Sequence, residues 1–540
     1  MPNPEPYTAH IDTFAADNLP PPEQQPEFIF ELPELQFPER LNCAVELLDR
    51  HVDQGHGERL CIQAEGLRWS YADLQQRVNR IANVLTQKMG LIPGNRVLLC
   101  APNNPMMVAC WFAVIKAGGI AVAAMPLLRA KELATIIDIA QISHALCDAA
   151  LHDEVQAAQQ KTSSLKAVRY FNCGDDEGLE HLMESASDTF AAIATAATDT
   201  CLLGFTSGTT GVPKATMHFH RDVMAVCACW PVHILRANAD DVFMGSPPLA
   251  FTFGLGGQVL FPLAIGASMA LLEKASPPLL LDGIEKFGAT VVFTAPTSYR
   301  VMAEQGDRIR ATRLRKCVSA GEALNASTRA LWKDVTGIEI IDGIGSTEML
   351  HIFISHREEE ARPGATGKAV PGYRAKVVDD DGNEVPAGTV GKLAVQGPTG
   401  CRYLNDSRQT KYVSRGWNLT GDAYLVDEEG YFIYQARTDD MIISAGYNIA
   451  APEVEEALMA HAAVAECAVI GVADSARGQI VKAFVVLRPA HEAGDAMARE
   501  LQDFVKNTVA PYKYPRVVQF VDQLPRTATG KLQRFRLHEQ

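Results

Sequence analysis

Leu202-Leu203-Gly204-Phe205-Thr206-Ser207-Gly208-Thr209-Thr210-Gly211-Val212-Pro213-Lys214 runs from an apolar stretch into hydroxyls, glycines and one lysine. Glycines let backbone N–H groups close on an anion, and Ser and Thr hydroxyls add donors, so the string has the chemistry of a phosphate cradle. It is not a Walker loop, because five residues on from Gly208 stands Pro213 rather than glycine, and Lys214 is followed by Ala215. Near the chain end Lys506, Lys513, Arg516, Arg526, Lys531, Arg534 and Arg536 are accompanied by one acidic residue, Asp522. By itself that cluster reads as a solvated basic face. His218, His220, Cys227 and Cys229 suggest a metal centre by composition. An i, i+2 histidine pair diverges on a helix, however, and the spacing matches no zinc pattern. The histidines are expected beside a ligand pocket and the thiols in the core.

The elements that must position these groups belong to a large chain. At 540 residues it calls for a composite body plus at least one smaller domain. A hydrophobic fraction of 47% with 21% charged residues excludes a disordered or fibrous protein. The net charge of -15 argues against general nucleic-acid binding. Val97–Leu128 and Leu255–Leu272 are apolar but interrupted by proline, glycine and, in the first, Lys116, so neither reads as a membrane span. The Pro-rich, acidic N-terminal stretch lacks the pattern of a secretory signal, which makes the cytoplasm the expected compartment. Twelve cysteines without CxxC pairs point to reduced, buried thiols.

Ser70 and Asp73, followed by Leu74, Val78, Ile81, Ala82 and Leu85, predict a capped amphipathic helix, and Val97–Cys100 a buried strand. The alternation recurs at Ala121–Met125, Ala130–Ile139 and Thr290–Thr294, which predicts an α/β body with largely parallel sheets. From about Asp379, Asp381-Gly382, Pro386–Gly388 and Glu429-Gly430 mark a β-rich subdomain. Beyond it, helices over Pro452–Met459 and Met497–Asn507 and strands over Ala468–Val472 and Ala483–Leu487 predict a small α+β unit. The expected division is 1–436, a hinge at 437–440, and 441–540.

Thr206–Lys214 resembles the signature loop of the adenylate-forming superfamily, which holds acyl-CoA synthetases, peptide-synthetase adenylation domains and firefly luciferases. Further segments resemble that family's motifs in order. Ser319, Ala320, Gly321 and Glu322 are similar to the adenine-binding turn. The segment through Asp342, Gly343, Ile344, Gly345, Ser346, Thr347 and Glu348 is similar to the motif in which the glutamate helps hold magnesium and the threonine meets the α-phosphate. Thr420-Gly421-Asp422 and Tyr434–Arg437 resemble the two ribose-contacting motifs. Ser444, Ala445, Gly446, Tyr447 and Asn448 resemble the loop lining the pantetheine tunnel, and Pro525–Lys531 the terminal catalytic-lysine motif.

The resemblance implies an α/β N-terminal domain with a β-rich subdomain and a mobile C-terminal domain. It also implies an acid–CoA ligase using ATP, Mg2+ and coenzyme A. A carboxylate meeting a triphosphate is anion against anion, so charge must be neutralised by a metal and by lysine. On this reading Glu348 takes the metal and Lys531 the α-phosphate and attacking carboxylate. Thr206, Ser207, Gly208, Thr209, Thr210 and Lys214 take the leaving phosphates, and Asp439 is the hinge across which the small domain turns between half-reactions. Pro247–Gly256 has the look of an aryl pocket, and its wording, with Gly343–Phe353, is most similar to 2-aminobenzoate–CoA and benzoate–CoA ligases. The expected acid is therefore a small aromatic carboxylate bordered by Ala250, Phe251, Phe253, Ile344, Gly345 and His351. A medium-chain fatty acid, a carrier protein in place of CoA, and a nucleotide-binding regulator with lost chemistry are the alternatives; no membrane partner is expected, and a homodimer is allowed.

Overall fold

The computed structural model describes residues 7–174, 178–206, 212–438, 441–444, 447–474, 477–509, 511–526 and 532–538. The chain divides into two compact units, Met1–Ala375 with Val395–Asn418, and Lys376–Ala394 with Leu419–Gln540.

The first unit carries two large sheets. One has six strands in the order Ala167–Phe171, His144–Asp148, Arg96–Cys100, Ile120–Ala124, Thr200–Thr206 and Lys214–Phe219. Its neighbours run parallel except for the last pair, an antiparallel hairpin. The inner strands are buried on both faces, which is why they read as unbroken apolar runs. Helix Pro105–Lys116, capped by the Asn104 side chain on Met107 N–H, is buried along its whole length. The apolar stretch 97–128 is thus strand, enclosed helix and strand, and no helix of the described residues is long and apolar enough to cross a membrane. The predicted Ser70/Asp73 capping box forms, with Ser70 N–H donating to Asp73 at 2.9 Å and Asp73 N–H to Ser70 Oγ at 3.1 Å. It opens helix Tyr71–Asn83, whose Leu74, Val78, Ile81 and Ala82 face the core.

The other sheet has nine strands. Its centre is parallel, in the order Ile340–Gly345, Lys316–Ser319, Val291–Thr294, Val242–Gly245, Ser268–Ala270 and Leu60–Ala64, and antiparallel strands flank it. Helix Pro277–Phe287 stops at Gly288, whose φ of 64° suits glycine, and the chain turns into Val291–Thr294.

In the second unit, Asp422–Val426 pairs antiparallel with Phe432–Arg437, turning through Gly430 at φ 83°. Beyond it Tyr447–Ala450, Met441–Ser444, Gly478–Leu487 and Val464–Asp474 form a sheet that Val517–Phe520 joins beside Gly478–Leu487. Helices Ala451–Met459 and Asp495–Thr508 seal one face with Val454, Leu458, Leu501 and Val505. Both hairpin strands outrun the expected Ala468–Val472 and Ala483–Leu487. Pairing continues through polar outward positions such as Glu466 and Lys482, which apolar content alone does not mark as strand.

Candidate active site

The hairpin of the six-stranded sheet sets Thr206 directly opposite Lys214. Between them Ser207, Gly208, Thr209 and Thr210 lie outside the described residues. Lys214 reaches Glu348, Nζ to Oε1 at 3.1 Å, although Glu348 follows the end of a strand in the other sheet. Two contacts hold the sheets together here. Gly204 backs on Thr347 so closely that a Cβ would lie 2.7 Å from the threonine methyl. His218 Nε2 meets the Thr347 carbonyl at 2.7 Å. The turn closes with Leu350 N–H on the Thr347 carbonyl at 3.1 Å, and Leu350 sits at φ 68°, an uncommon conformation for a branched side chain.

Tyr403, which the sequence reading missed, completes this cluster. Its hydroxyl donates to Glu348 Oε1 at 2.5 Å and accepts from Lys214, whose Nζ also lies 4.3 Å from the ring centroid. Next to it Arg402 is fully buried, paired with Asp222 at 2.7 Å and stacked between Phe28 and Phe219 at 4.1 and 4.0 Å. Burial pushes the Asp222 carboxyl up, but Arg402 and then His218 pull it further down, to about 2. No spacing signal links residue 403 to 214 or 348. They meet only because residues 402–404 lie along the strand Lys214–Phe219, with Met217 N–H on the Arg402 carbonyl and Leu404 N–H on that of Ala215.

Ser319 and Asp342 are register partners where adjacent parallel strands end, the edge at which open α/β sheets bind ligands. Ala320 is buried behind the turn, Glu322 is half-buried, and Gly321 takes φ 88° with open space where a Cβ would stand. Burial pushes Asp342 up to about 7, with the Arg329 guanidinium opposing it. Gly343 continues the strand, where a Cβ would press on Ile352 at 2.7 Å.

In the second unit Arg437 donates to Asp422 at 2.8 Å, so both predicted ribose groups meet on one antiparallel pair. Tyr434 packs edge-on against Tyr424, ring centroids 5.4 Å apart. Ser444 is buried and Tyr447 opens the strand that follows, while Asp439, Gly446 and Lys531 lie outside the described residues.

Of the predicted acyl residues, Phe253 and Gly345 pack against His351. Phe261, Phe253 and Trp230 surround its ring at 4.4, 5.8 and 5.8 Å. Burial pushes the imidazole down to about 3, with a weaker backbone interaction at Phe253 opposing it, so it is neutral near pH 7, and neither ring nitrogen makes a well-formed hydrogen bond. Gly345 backs on the His351 carbonyl, where a Cβ would lie at 2.7 Å. Ala250 and Phe251 sit half-buried before helix Thr252–Leu255, and Ile344 is half-buried on its strand. His218, His220, Cys227 and Cys229 turn to separate partners. His220 turns to Cys43, with Nδ1 3.2 Å from its N–H and 3.3 Å from Sγ, and Cys227 packs toward Leu260.

A lysine at a hairpin, facing a buried carboxylate from a second sheet, fits an enzyme that binds phosphate groups. The fit to magnesium is sound in chemical terms, since Mg2+ takes one or two carboxylates and completes its shell with phosphates and water. Residues 48–403 match the AMP-binding enzyme family and residues 453–531 the AMP-binding enzyme C-terminal domain. A benzoate–CoA ligase of Thauera aromatica is 37% identical over 94% of this chain and 97% of its own length. The mitochondrial acyl-coenzyme A synthetase ACSM3 of Mus musculus is 32% identical over 94% and 91%. Among solved structures, an anthranilate–CoA ligase in complex with anthranoyl-AMP superposes with a TM-score of 0.88 at 33% identity, covering 94% of this chain and 98% of that one. A benzoate–CoA ligase from Burkholderia xenovorans LB400 does so with a TM-score of 0.84 at 32% identity, covering 92% and 99%. The chain belongs to the AMP-binding enzyme family and is an AMP-forming acid–CoA ligase.

Proposed function

We propose that the acid is an aryl carboxylate of the benzoate type, with 2-aminobenzoate the preferred form. The observation that carries this reading is the buried neutral imidazole of His351, whose hydrogen bonding is incomplete, among Phe253, Phe261 and Trp230. Aromatic walls suit a flat ring. A buried nitrogen with incomplete hydrogen bonding is costly until a ligand completes it, so an ortho amino group has a specific place to bond. The relatives named for benzoate and anthranilate support the same class.

In the first half-reaction a carboxylate oxygen attacks the α-phosphorus of ATP, forming the acyl-adenylate and releasing pyrophosphate. Lys214 and the loop from Thr206 take the charge of the leaving phosphates, Thr347 meets the α-phosphate, and Lys531 brings the two anions together. Glu348 is the residue that would hold magnesium, whose role is to offset phosphate charge. Ser319–Glu322 and Asp342 border the adenine, and Asp422 and Arg437 take the ribose hydroxyls. In the second half-reaction the CoA thiolate attacks the acyl carbon and AMP leaves. For it the domain 441–540 turns about 437–440, with Ser444, Gly446 and Tyr447 along the pantetheine arm.

Pyrophosphate exchange with benzoate, 2-aminobenzoate, a fluorobenzoate and medium-chain fatty acids tests the acid. Exchange with the aromatic acids is expected, and exchange with aliphatic acids alone would overturn the pocket reading. Thioester formation from free CoA is expected, and loading of a carrier protein without it would overturn the choice of acceptor.

A further inference from the structure

We propose that the Tyr403 phenol is the positioning group that keeps Glu348 aimed at its metal while Lys214 engages phosphate. This rests on the assignment of Glu348 to magnesium and of Lys214 to the leaving phosphates.

Lys214 has three N–H donors to share, and Glu348 now draws on one of them. Its Nζ now lies between the Tyr403 hydroxyl and Glu348, and moving toward a triphosphate would strip Glu348 of its cationic partner. A buried carboxylate left with no donor would be costly, and free to swing. Tyr403 prevents both. A phenol has one hydrogen and can also accept, so the hydroxyl can lose the lysine's N–H and still donate to Glu348. Both contacts fall on Oε1, which leaves Oε2 to a cation.

The phenol reaches Glu348 from a backbone that is itself fixed. It cannot follow Lys214 away. Its own N–H donates to Gln409 Oε1 at 2.8 Å, and the residues on either side bond to the strand that carries Lys214. Gln409 is anchored in turn by donating to the carbonyls of Gln24 and Cys401, at 2.9 and 3.1 Å. The buried Arg402–Asp222 pair fixes the preceding residue. A fixed donor on a carboxylate that must accept a cation is the arrangement by which second partners orient metal ligands.

The test is Mn2+ binding to the enzyme–ATP complex, read by electron paramagnetic resonance, beside the Mg2+ dependence of pyrophosphate exchange at saturating ATP, with wild type, Tyr403→Phe and Glu348→Gln compared. Tyr403→Phe is expected to weaken Mn2+ binding and to raise the half-saturating Mg2+ concentration about tenfold while the KM for the acid stays within about twofold, since the lost interaction touches the metal ligand alone. Gln409→Leu keeps the phenol and frees its backbone anchor, so a smaller rise, about threefold, is expected even if Tyr403→Phe folds poorly. If Glu348→Gln shifts the metal dependence while Tyr403→Phe and Gln409→Leu do not, the inference about Tyr403 is wrong and the assignment of Glu348 stands. If Glu348→Gln leaves it unmoved, the metal assignment fails and takes the inference with it.

Discussion

Gly256 lies so close to the His351 imidazole that a Cβ on it would stand 2.3 Å from Cδ2 and 2.7 Å from Nε2. The ring cannot retreat, because Phe261 lies at 4.4 Å and Trp230 at 5.8 Å. Gly256→Ala is therefore expected to cost about 1–3 kcal/mol of stability through overpacking. In the surviving enzyme, kcat/KM for the aromatic acid should fall at least about tenfold while KM for ATP holds. Denaturant unfolding and exchange kinetics read the two effects. An unchanged acid preference would mean that this contact does not shape the pocket.

The same imidazole sets an acid limit. Its folded-state pKa of about 3 lies below the ordinary 6.5, so the unfolded chain takes up the proton first. The stability this residue lends is complete above pH 6.5 and is lost as pH falls toward 3, by up to roughly 4 kcal/mol. His351→Gln removes the titration, so its melting temperature should decline less than that of wild type between pH 7 and pH 4. Parallel declines would count against a buried neutral histidine.

Asp342 gives the opposite sign. Its carboxyl is pushed up to about 7 from 3.8, so the folded state holds the proton longer and stability falls as pH rises from about 4 to about 7. Asp342→Asn should melt higher than wild type at pH 8, with the gap closing by pH 4. Its ATP affinity should fall, because the residue pairs with Ser319 at the last step of the parallel ladder, beside the proposed adenine turn. Equal melting temperatures at both pH values would refute the charge penalty.

Local signals made much of this legible from sequence. Period and caps mark the helix from Tyr71 and the run Val97–Cys100 a buried strand, while the Gly/Thr string before Lys214 raises the expectation of phosphate chemistry without any fold. Asp422 and Arg437 follow from motif resemblance, and the structure joins them. What escaped notice depends on register between distant segments. Tyr403 reaches Glu348 because residue 403 bridges to Thr216, and nothing in the composition of residues 400–404 announces that pairing. Arg402 looks like any loop arginine until Phe28, from the N-terminal arm, and Phe219 close over it.

That enclosure makes Arg402 a stability determinant rather than a surface charge. Arg402→Met would leave Asp222 buried without its main partner, which typically costs about 3–5 kcal/mol. Arg402→Met combined with Asp222→Asn should recover part of the loss, because the stranded charge is removed as well. Urea titrations of the single and double variants check this, and a double variant no more stable than the single one would contradict it.

The two half-reactions need different groups at one adenylate, a cation for the first and an entering thiol for the second. Lys531 and Asp439 lie outside the described residues, so their roles are separated by kinetics. On the proposed assignment Lys531→Ala should lower adenylate formation by about a hundredfold or more while ATP binding persists, since the lysine would serve the attacking step and not the nucleotide's adenine or ribose. Asp439→Pro should retain pyrophosphate exchange and lose thioester formation, because proline fixes the φ that a turning hinge must vary. Single-turnover assays of each half-reaction distinguish these outcomes. Equal loss of both half-reactions in Asp439→Pro would place the turning point elsewhere in the chain.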